Sequence, residues 1–358
     1  MSKFYKLLCI CILIFFINRS VYAIPKVIFD TDIARVDSTG HDRSDIDDLG
    51  ALAILNTLSN QNLCEILCIV TNSRSDKVVE MIDAVNSYYN NPGIPIGLQE
   101  GNNRLIETQN SYAKYISSLF SHSQYSIDAP SSTELLRKVL SEVSEEDTVI
   151  YVHADMLSRW DYLCIASFLE SGEDELSQLT GYELLNLKVD KFISYIPCLP
   201  NNNISENCPD FFDFPVDNAE KIQQFLNNFQ NDLIGNATAI EAGHLPTKLW
   251  EQSDDNPVKL AYQYYYTKTP PPWHDSNEIP ESISVYGDGL SIIYLITNTS
   301  SRHLFNQNNI GCFVIDRQKK LRWSDINNRK NHSYFYPVPE RRKELWVLID
   351  ELICFNVK

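Results

Sequence analysis

The sequence predicts an α/β protein built on a doubly wound, mostly parallel, Rossmann-like sheet with flanking helices and a C-terminal β-hairpin. Short β-branched or aromatic runs alternate with longer helical runs, and a group of aspartates directly follows the first strand-like run. Strands separated by helices favour parallel pairing, because a parallel connection must cross over a face of the sheet. With 358 residues, 44% of them hydrophobic, the chain can bury the large core that such a fold needs.

The individual elements follow from local patterns. The first strand is predicted at 27–29, where β-branched and aromatic residues are continuous, and a small apolar helix at 49–55. The same reasoning predicts strands at 64–71, 94–98, 147–154 and 191–196, helices at 76–89, 133–143, 160–169, 218–229, 288–296 and 339–354, and a β-hairpin at 311–323.

The segment 233–281 breaks this rhythm, since it holds an Asn-rich tract, a tyrosine run and a proline-rich stretch ending at Trp273. Such a composition is typical of a long surface excursion or lid. No internal repeat and no low-complexity linker interrupts the chain, so a single domain is expected over 24–358.

Residues 1–23 have the organisation of a secretory signal peptide. Lys3 and Lys6 precede an apolar run at 7–17, and a small-residue cleavage site ends at Ala23. The apolar run is about half of the roughly 20 residues that a spanning helix needs. We therefore expect a secreted or periplasmic protein with no stable membrane insertion after cleavage.

The charge balance excludes one class of partner. Lys and Arg total 30 against 47 Asp and Glu, a formal net charge of −17, which argues against binding to a nucleic-acid polymer.

Seven of the nine cysteines remain once Cys9 and Cys11 leave with the signal peptide, so at least one is unpaired within the chain. Cys198 and Cys208 are the one disulfide pair we predict. The oligomeric state stays open, a homo-oligomer included.

The aspartates after the first strand indicate a cation site. Asp30, Asp32, Asp45, Asp47 and Asp48 lie between the first strand and the first helix, at the sheet edge where open α/β proteins bind ligands. Carboxylates packed together raise one another's pKa unless a cation neutralises them. Oxygen ligands favour Ca²⁺ or Mg²⁺ over zinc. Any single aspartate here has a simpler explanation as a turn former or helix cap, Asp48 above all.

The pair Asp30 and Asp32, followed by Asp47 and Asp48, resembles the DxDxxxDD signature of the inosine–uridine-preferring nucleoside hydrolases, with eleven extra residues at 34–44. The form with a further acid at Asp45 is similar to an exported branch of that family. Further segments resemble the family in order along the chain: VTN at 70–72, YY at 88–89, IPIG at 94–97, GYELL at 181–185, KV at 188–189 and DGLSIIY at 288–294.

The resemblance implies an exported, Ca²⁺-dependent hydrolase that cleaves the N-glycosidic bond of ribonucleosides with a metal-activated water. Carboxylates suit this chemistry, because positive charge develops on the ribose ring in the transition state. The implied roles are general base for Asp32, metal ligands for Asp32, Asp48 and Asp288, and substrate contacts for Asp47, Asn72 and Asp213. Asp30 would support the loop and the residues around the metal.

Several family positions are altered. The family's metal-binding backbone carbonyl would come from His153 or Ala154, at the end of the fourth predicted strand, and Asp213 stands where the family has a ribose-binding Asn. The Glu of the same element has no clear counterpart. Gly287 replaces a His that protonates the leaving base, which leaves His274 as a weak candidate. An alternative hypothesis is therefore a catalytically impaired relative that binds metal and a ribosylated or sugar ligand.

Two further classes rank lower. Haloacid-dehalogenase phosphatases also place DxD after the first strand, but they require Thr or Val where this chain has Ala34. A glycosidase with two bare carboxylates needs no metal, so metal independence would identify it.

Overall fold

The computed structural model describes residues 24–35, 46–99, 111–157, 164–196, 216–238, 246–268, 278–283, 287–297, 303–326 and 329–355. Its strands, numbered β1 to β10, are Lys26–Thr31, Glu65–Thr71, Ile96–Leu98, Val149–Met156, Lys191–Tyr195, Asp232–Asn236, Phe305–Asn308, Cys312–Ile315, Leu321–Ser324 and His332–Pro337. Its α-helices, numbered α1 to α10, are Asp47–Asn60, Val78–Tyr88, Tyr112–Leu119, Ser132–Glu142, Cys164–Glu170, Gly181–Lys188, Ala219–Asn228, Pro257–Lys268, Gly287–Thr297 and Arg342–Ile353. Short 3₁₀ turns cover Lys248–Glu251 and Pro339–Arg341.

Eight strands form one sheet in the order β3-β2-β1-β4-β5-β6-β10-β7. All neighbouring pairs are parallel except β10 and β7, which are antiparallel. The order reverses at β1, because the chain first builds outward to β3 and then returns to add β4 on the other side. This is the doubly wound topology that the sequence predicts. The antiparallel pair β8 and β9 confirms the predicted C-terminal hairpin.

Each face of the sheet has its own hydrophobic core. Side chains alternate along a strand, so Val27 and Phe29 of β1 contact one core while Ile28 contacts the other. The first core contains residues of α1, α2, α3, α8, α9 and α10, and the second contains residues of α4 to α7 and the β8–β9 hairpin. Every residue of β4 is buried, as expected for a strand covered on both faces.

Helix ends are set by local side chains. Ser131 accepts a hydrogen bond from the backbone N–H of Glu134 at the start of α4. Thr180 and Glu183 form a reciprocal capping box at the start of α6. These caps fix where the helices that precede β4 and β5 begin.

The prediction of a long surface excursion over 233–281 is wrong for two parts of it. Strand β6 (Asp232–Asn236) lies inside the sheet between β5 and β10, and Pro257–Lys268 forms the packed helix α8. A strand of five residues that ends in Gly and Asn has little β propensity of its own. A Cβ on Gly235 would lie 2.6 Å from the Phe313 ring, so the glycine lets the hairpin pack closely against β6.

Some sequence predictions lie outside the described residues: the signal peptide at 1–23, Asp45, the Cys198–Cys208 pair, Asp213 and His274. Within the described part of the chain, five cysteines carry free thiols. None of the helices described there is both long and apolar enough to cross a membrane.

Candidate metal centre and active site

The candidate site lies at the carboxyl ends of β1 and β4. These strands are neighbours in parallel register, with Thr31 opposite Ala154, and the sheet order reverses between them. Asp32 follows the end of β1, and Asp155 lies near the end of β4. Open α/β sheets bind ligands at this crevice because adjacent connections leave on opposite faces.

Three buried carboxylates meet at this edge, and we call them the acid trio: Asp47, Asp48 and Asp288. Each offers an oxygen atom, and these atoms all lie within 4.8 Å of one another. Their exposed fractions are 4%, 0% and 7%. Asp47 and Asp48 lie in the first turn of α1, and Asp288 lies in the first turn of α9. The packing of α1 against α9 therefore creates the trio from opposite ends of the sequence.

The trio is not explained by helix capping alone. The residue at the cap position of α1 is Ile46, which has no side-chain capping hydrogen bond, so Asp48 is not the N-cap. Carboxylates in a first helical turn are favoured by the helix dipole. That stabilisation is about 0.3–1 kcal/mol per group, which is small beside the repulsion between buried carboxylates only a few ångströms apart.

The electrostatics of Asp288 favour a cation beside its carboxylate. Burial raises the pKa of Asp288 well above its ordinary value, and the charges of Asp47, Asp32 and Asp155 raise it further. The Oδ1 atom of Asp288 is buried and has no hydrogen-bond partner among the described residues. Thr31 in β1 donates its hydroxyl to Asp48. An all-oxygen set with a buried, unsatisfied carboxylate atom fits a hard divalent cation such as Ca²⁺ or Mg²⁺.

Asp32 is close enough for its charge to raise the pKa of Asp288, but it is not one of the three acids whose oxygen atoms lie within 4.8 Å of one another. Its side chain is 16% exposed and lies 3.6 Å from Arg35 Nη1. The structure therefore brings together two of the three predicted metal ligands, Asp48 and Asp288. The third member of the group is Asp47, which the sequence predicts as a substrate contact.

Asp30 is on the other face of β1. Its neighbour Thr31 reaches Asp48, so the alternation of side chains directs Asp30 into the second core. There it accepts a hydrogen bond of 2.6 Å from the Tyr151 hydroxyl. Burial raises the pKa of Asp30 to about 7, opposed by the hydrogen bond from Tyr151 and assisted by the charge of Asp155.

Asn72 directly follows β2 and is buried. Its backbone N–H donates to the Thr31 carbonyl over 3.3 Å, which places the residue next to the turn that carries Asp32. Asn72 is therefore near the acids, as the predicted ribose contact requires. Asp213 and His274 lie outside the described residues.

Two side chains near this edge were not selected from the sequence. Asp155 is buried, and its charge raises the pKa of both Asp30 and Asp288. An acid near the end of a mostly apolar strand is the signal that marks it. His153 is buried with Nδ1 2.9 Å from Ser194 Oγ, and burial lowers its pKa to about 3. His153 is consequently a neutral imidazole at physiological pH.

No protein-family model matches the sequence, and no curated protein matches it. Solved structures do match the fold. An inosine–guanosine nucleoside hydrolase aligns over 94% of this chain and 100% of its own, with 14% identity and a TM-score of 0.58. A plant nucleoside hydrolase aligns over 92% and 98%, with 14% identity and a TM-score of 0.55.

A third similar structure is the type III effector protein XopQ complexed with adenosine diphosphate ribose, at 11% identity and a TM-score of 0.50 over 94% of each chain. At these identities the similarity concerns the fold. The observed sheet order, flanking helices and acid-bearing edge agree with it, and the chain therefore has the nucleoside hydrolase fold.

Proposed function

We propose that this protein is an exported, Ca²⁺-dependent hydrolase that cleaves the N-glycosidic bond of ribonucleosides. The observation that carries the proposal is the buried acid trio at the carboxyl edge of a nucleoside hydrolase fold. Positive charge develops on the sugar ring during N-glycosidic cleavage, and a carboxylate-lined crevice stabilises that charge.

Asp47, Asp48 and Asp288 would hold the cation, with Asp32 as the further ligand that the sequence predicts. A bound Ca²⁺ would supply Lewis-acid activation of a water molecule. Ca²⁺ accepts six to eight oxygen ligands, so three carboxylates leave ligand positions for backbone carbonyls, water and a ribose diol.

Other residues of the chain would supply the general base, the ribose contacts and the support of the strand end. Asp32 is the proposed general base, because it is the partly exposed acid next to the buried trio. Asn72, beside the Asp32 turn, and Asp213 would bind ribose hydroxyls and fix the anomeric carbon. Asp30, held by Tyr151 on the other face of β1, would support the strand end that carries Asp32.

The test is ribose release from a panel of purine and pyrimidine nucleosides by the chain spanning 24–358, with Ca²⁺ and with a chelator. We expect turnover that the chelator abolishes, and loss of turnover in Asp32→Ala with the cation still bound. The matched control is Asp83→Asn, a buried aspartate of α2 that accepts hydrogen bonds from the backbone N–H groups of Ser123 and Gln124 and is not one of the proposed site residues. Absence of ribose release from every nucleoside would contradict the proposal.

A second candidate function is cation-dependent binding of a ribosylated ligand without turnover. The observation favouring it is that a protein of the same fold has been solved with adenosine diphosphate ribose. Calorimetry with that compound and with ribose 5-phosphate, with and without Ca²⁺, separates the two candidates. Binding without ribose release supports this one.

Export is proposed from the N-terminal pattern at 1–23. Expression of the full chain in a host with a secretory pathway should yield a protein in the medium or periplasm that begins near Ile24. Retention of an intact N-terminus inside the cell would contradict export.

A further inference from the structure

The turn that follows Asp32 contains a residue in an uncommon conformation. Ala34 has a φ of 54°, in the left-handed region where a Cβ approaches the following carbonyl oxygen. Ala34 is 1% exposed, so water does not satisfy its backbone polar groups. Something in the fold must therefore hold this residue in place.

Two side chains hold it, and we call this arrangement the Ala34 clamp. The backbone N–H of Ala34 donates to Tyr112 Oη over 2.7 Å. The carbonyl of Ala34 accepts from Ser73 Oγ over 2.7 Å. Both partners are buried, so each hydrogen bond is protected from competition by water.

The partners of the clamp are themselves fixed by the fold. Tyr112 opens α3, and its ring makes an edge contact with Tyr265 of α8, with ring centroids 6.4 Å apart. Ser73 follows Asn72, and its backbone N–H donates to Thr71 Oγ1 over 3.1 Å. Thr71 lies opposite Thr31 in the neighbouring strand. The clamp thus connects the Asp32 turn to α3 on one side and to the Asn72 turn on the other.

We propose that Tyr112 and Ser73 are positioning residues that fix Asp32 relative to Asn72 through the backbone of Ala34. Upstream, Asp32 is anchored by β1 and by the Ile33 N–H, which donates to Thr31 Oγ1 over 3.2 Å. Downstream, the two hydrogen bonds of the clamp hold the backbone of Ala34. The role in catalysis rests on the proposed function of Asp32 as general base and Asn72 as ribose contact.

Tyr112→Phe tests the clamp, because it removes the hydroxyl and keeps the ring against Tyr265. The matched control is Tyr115→Phe, one helical turn further along α3, where the ring stacks on Tyr264. Hydrogen–deuterium exchange of a peptide spanning 30–35 should accelerate about threefold to tenfold in Tyr112→Phe, the range expected for one lost hydrogen bond, and stay at the parent value in Tyr115→Phe.

Nucleoside hydrolysis supplies the second measurement. We expect kcat to fall about threefold to tenfold in Tyr112→Phe, and KM to change less, since misplacing a general base affects the chemical step. In an Ala34→Gly background the left-handed conformation is accessible without a clamp. The effect of Tyr112→Phe on kcat should therefore be smaller there.

The two measurements separate the possible failures. Equal exchange of the 30–35 peptide in Tyr112→Phe and Tyr115→Phe would overturn the clamp, whatever the activity. Accelerated exchange with unchanged kcat would overturn its catalytic role. If the parent protein hydrolyses no nucleoside, the proposed function fails, and the exchange measurement still decides whether the clamp holds the Asp32 turn.

Discussion

Replacing Asp288 by Asn should make the cation-free protein more stable and remove its response to Ca²⁺. The substitution keeps the size of the side chain at the start of α9 and removes one of three negative charges. The expected direction is unusual, because most substitutions of buried residues destabilise a protein. It follows from the geometry of the acid trio.

The magnitude can be worked from the separation of the oxygen atoms. The oxygen atoms are at most 4.8 Å apart; at that separation and an effective dielectric constant of about 20, two ionised carboxylates repel by about 3.5 kcal/mol. Asp288 takes part in two of the three pairs in the trio. Its raised pKa means that proton uptake already relieves part of this repulsion, at a cost in stability near neutral pH. We therefore expect Asp288→Asn to raise the free energy of unfolding by about 1–3 kcal/mol without cation.

The assay is thermal or urea unfolding at pH 7, first with a chelator and then with Ca²⁺ at about one hundred times its Kd. The parent should gain about 2.7 kcal/mol from the cation, and Asp288→Asn should gain much less. Asp83→Asn serves as the control, since it should be destabilised equally under both conditions and keep the cation response.

The opposite pattern would refute the reasoning. If Asp288→Asn is less stable than the parent without cation, the trio is satisfied by protein groups and needs no metal. If the parent shows no stabilisation by Ca²⁺, Mg²⁺ or another divalent ion, the metal centre does not exist.

Three further predictions concern the scaffold. The hydrogen bond from Arg137 lowers the pKa of Asp174 to about 2. This pair therefore stabilises the fold above pH 4 and loses its contribution as the pH falls from about 4 to about 2. Arg137→Met should flatten the pH dependence of the free energy of unfolding, measured with urea, in that window. Burial lowers the pKa of His153 to about 3, so the unfolded chain binds a proton below about pH 6.5 that the native state does not; His153→Gln should reduce the loss of stability between pH 6.5 and 4. Gly235→Ala should lower the free energy of unfolding by about 1–3 kcal/mol, measured by thermal melting, because its Cβ would lie 2.6 Å from Phe313.

Much of the fold was predictable because the relevant signals are local. Strand β4 begins with an apolar run at 149–152, and all of its residues are buried. Helix α4 carries its capping residue, Ser131, next to its first turn. Strand β6 escaped prediction because it is stabilised by pairing with β5 and β10 on both sides. That stabilisation comes from residues distant in sequence, so the five residues of β6 carry little strand signal of their own.

The sequence by itself determined that acids would gather at the carboxyl edge of the sheet, since Asp32, Asp47 and Asp48 follow the first strand and Asp288 opens a late helix. Only the tertiary structure decided which of these acids come within a few ångströms of one another. Asp47 joins Asp48 and Asp288, while Asp32 lies beside them and pairs with Arg35.

The same is true of the residues that hold the site together. Tyr112 and Ser73 reach Ala34 from 78 and 39 residues away, and no local pattern marks either of them. The physical reason is that spacing along the chain fixes which side chains share a face of one element. Which faces meet, and how closely, depends on how α1, α3 and α9 pack against the sheet and one another.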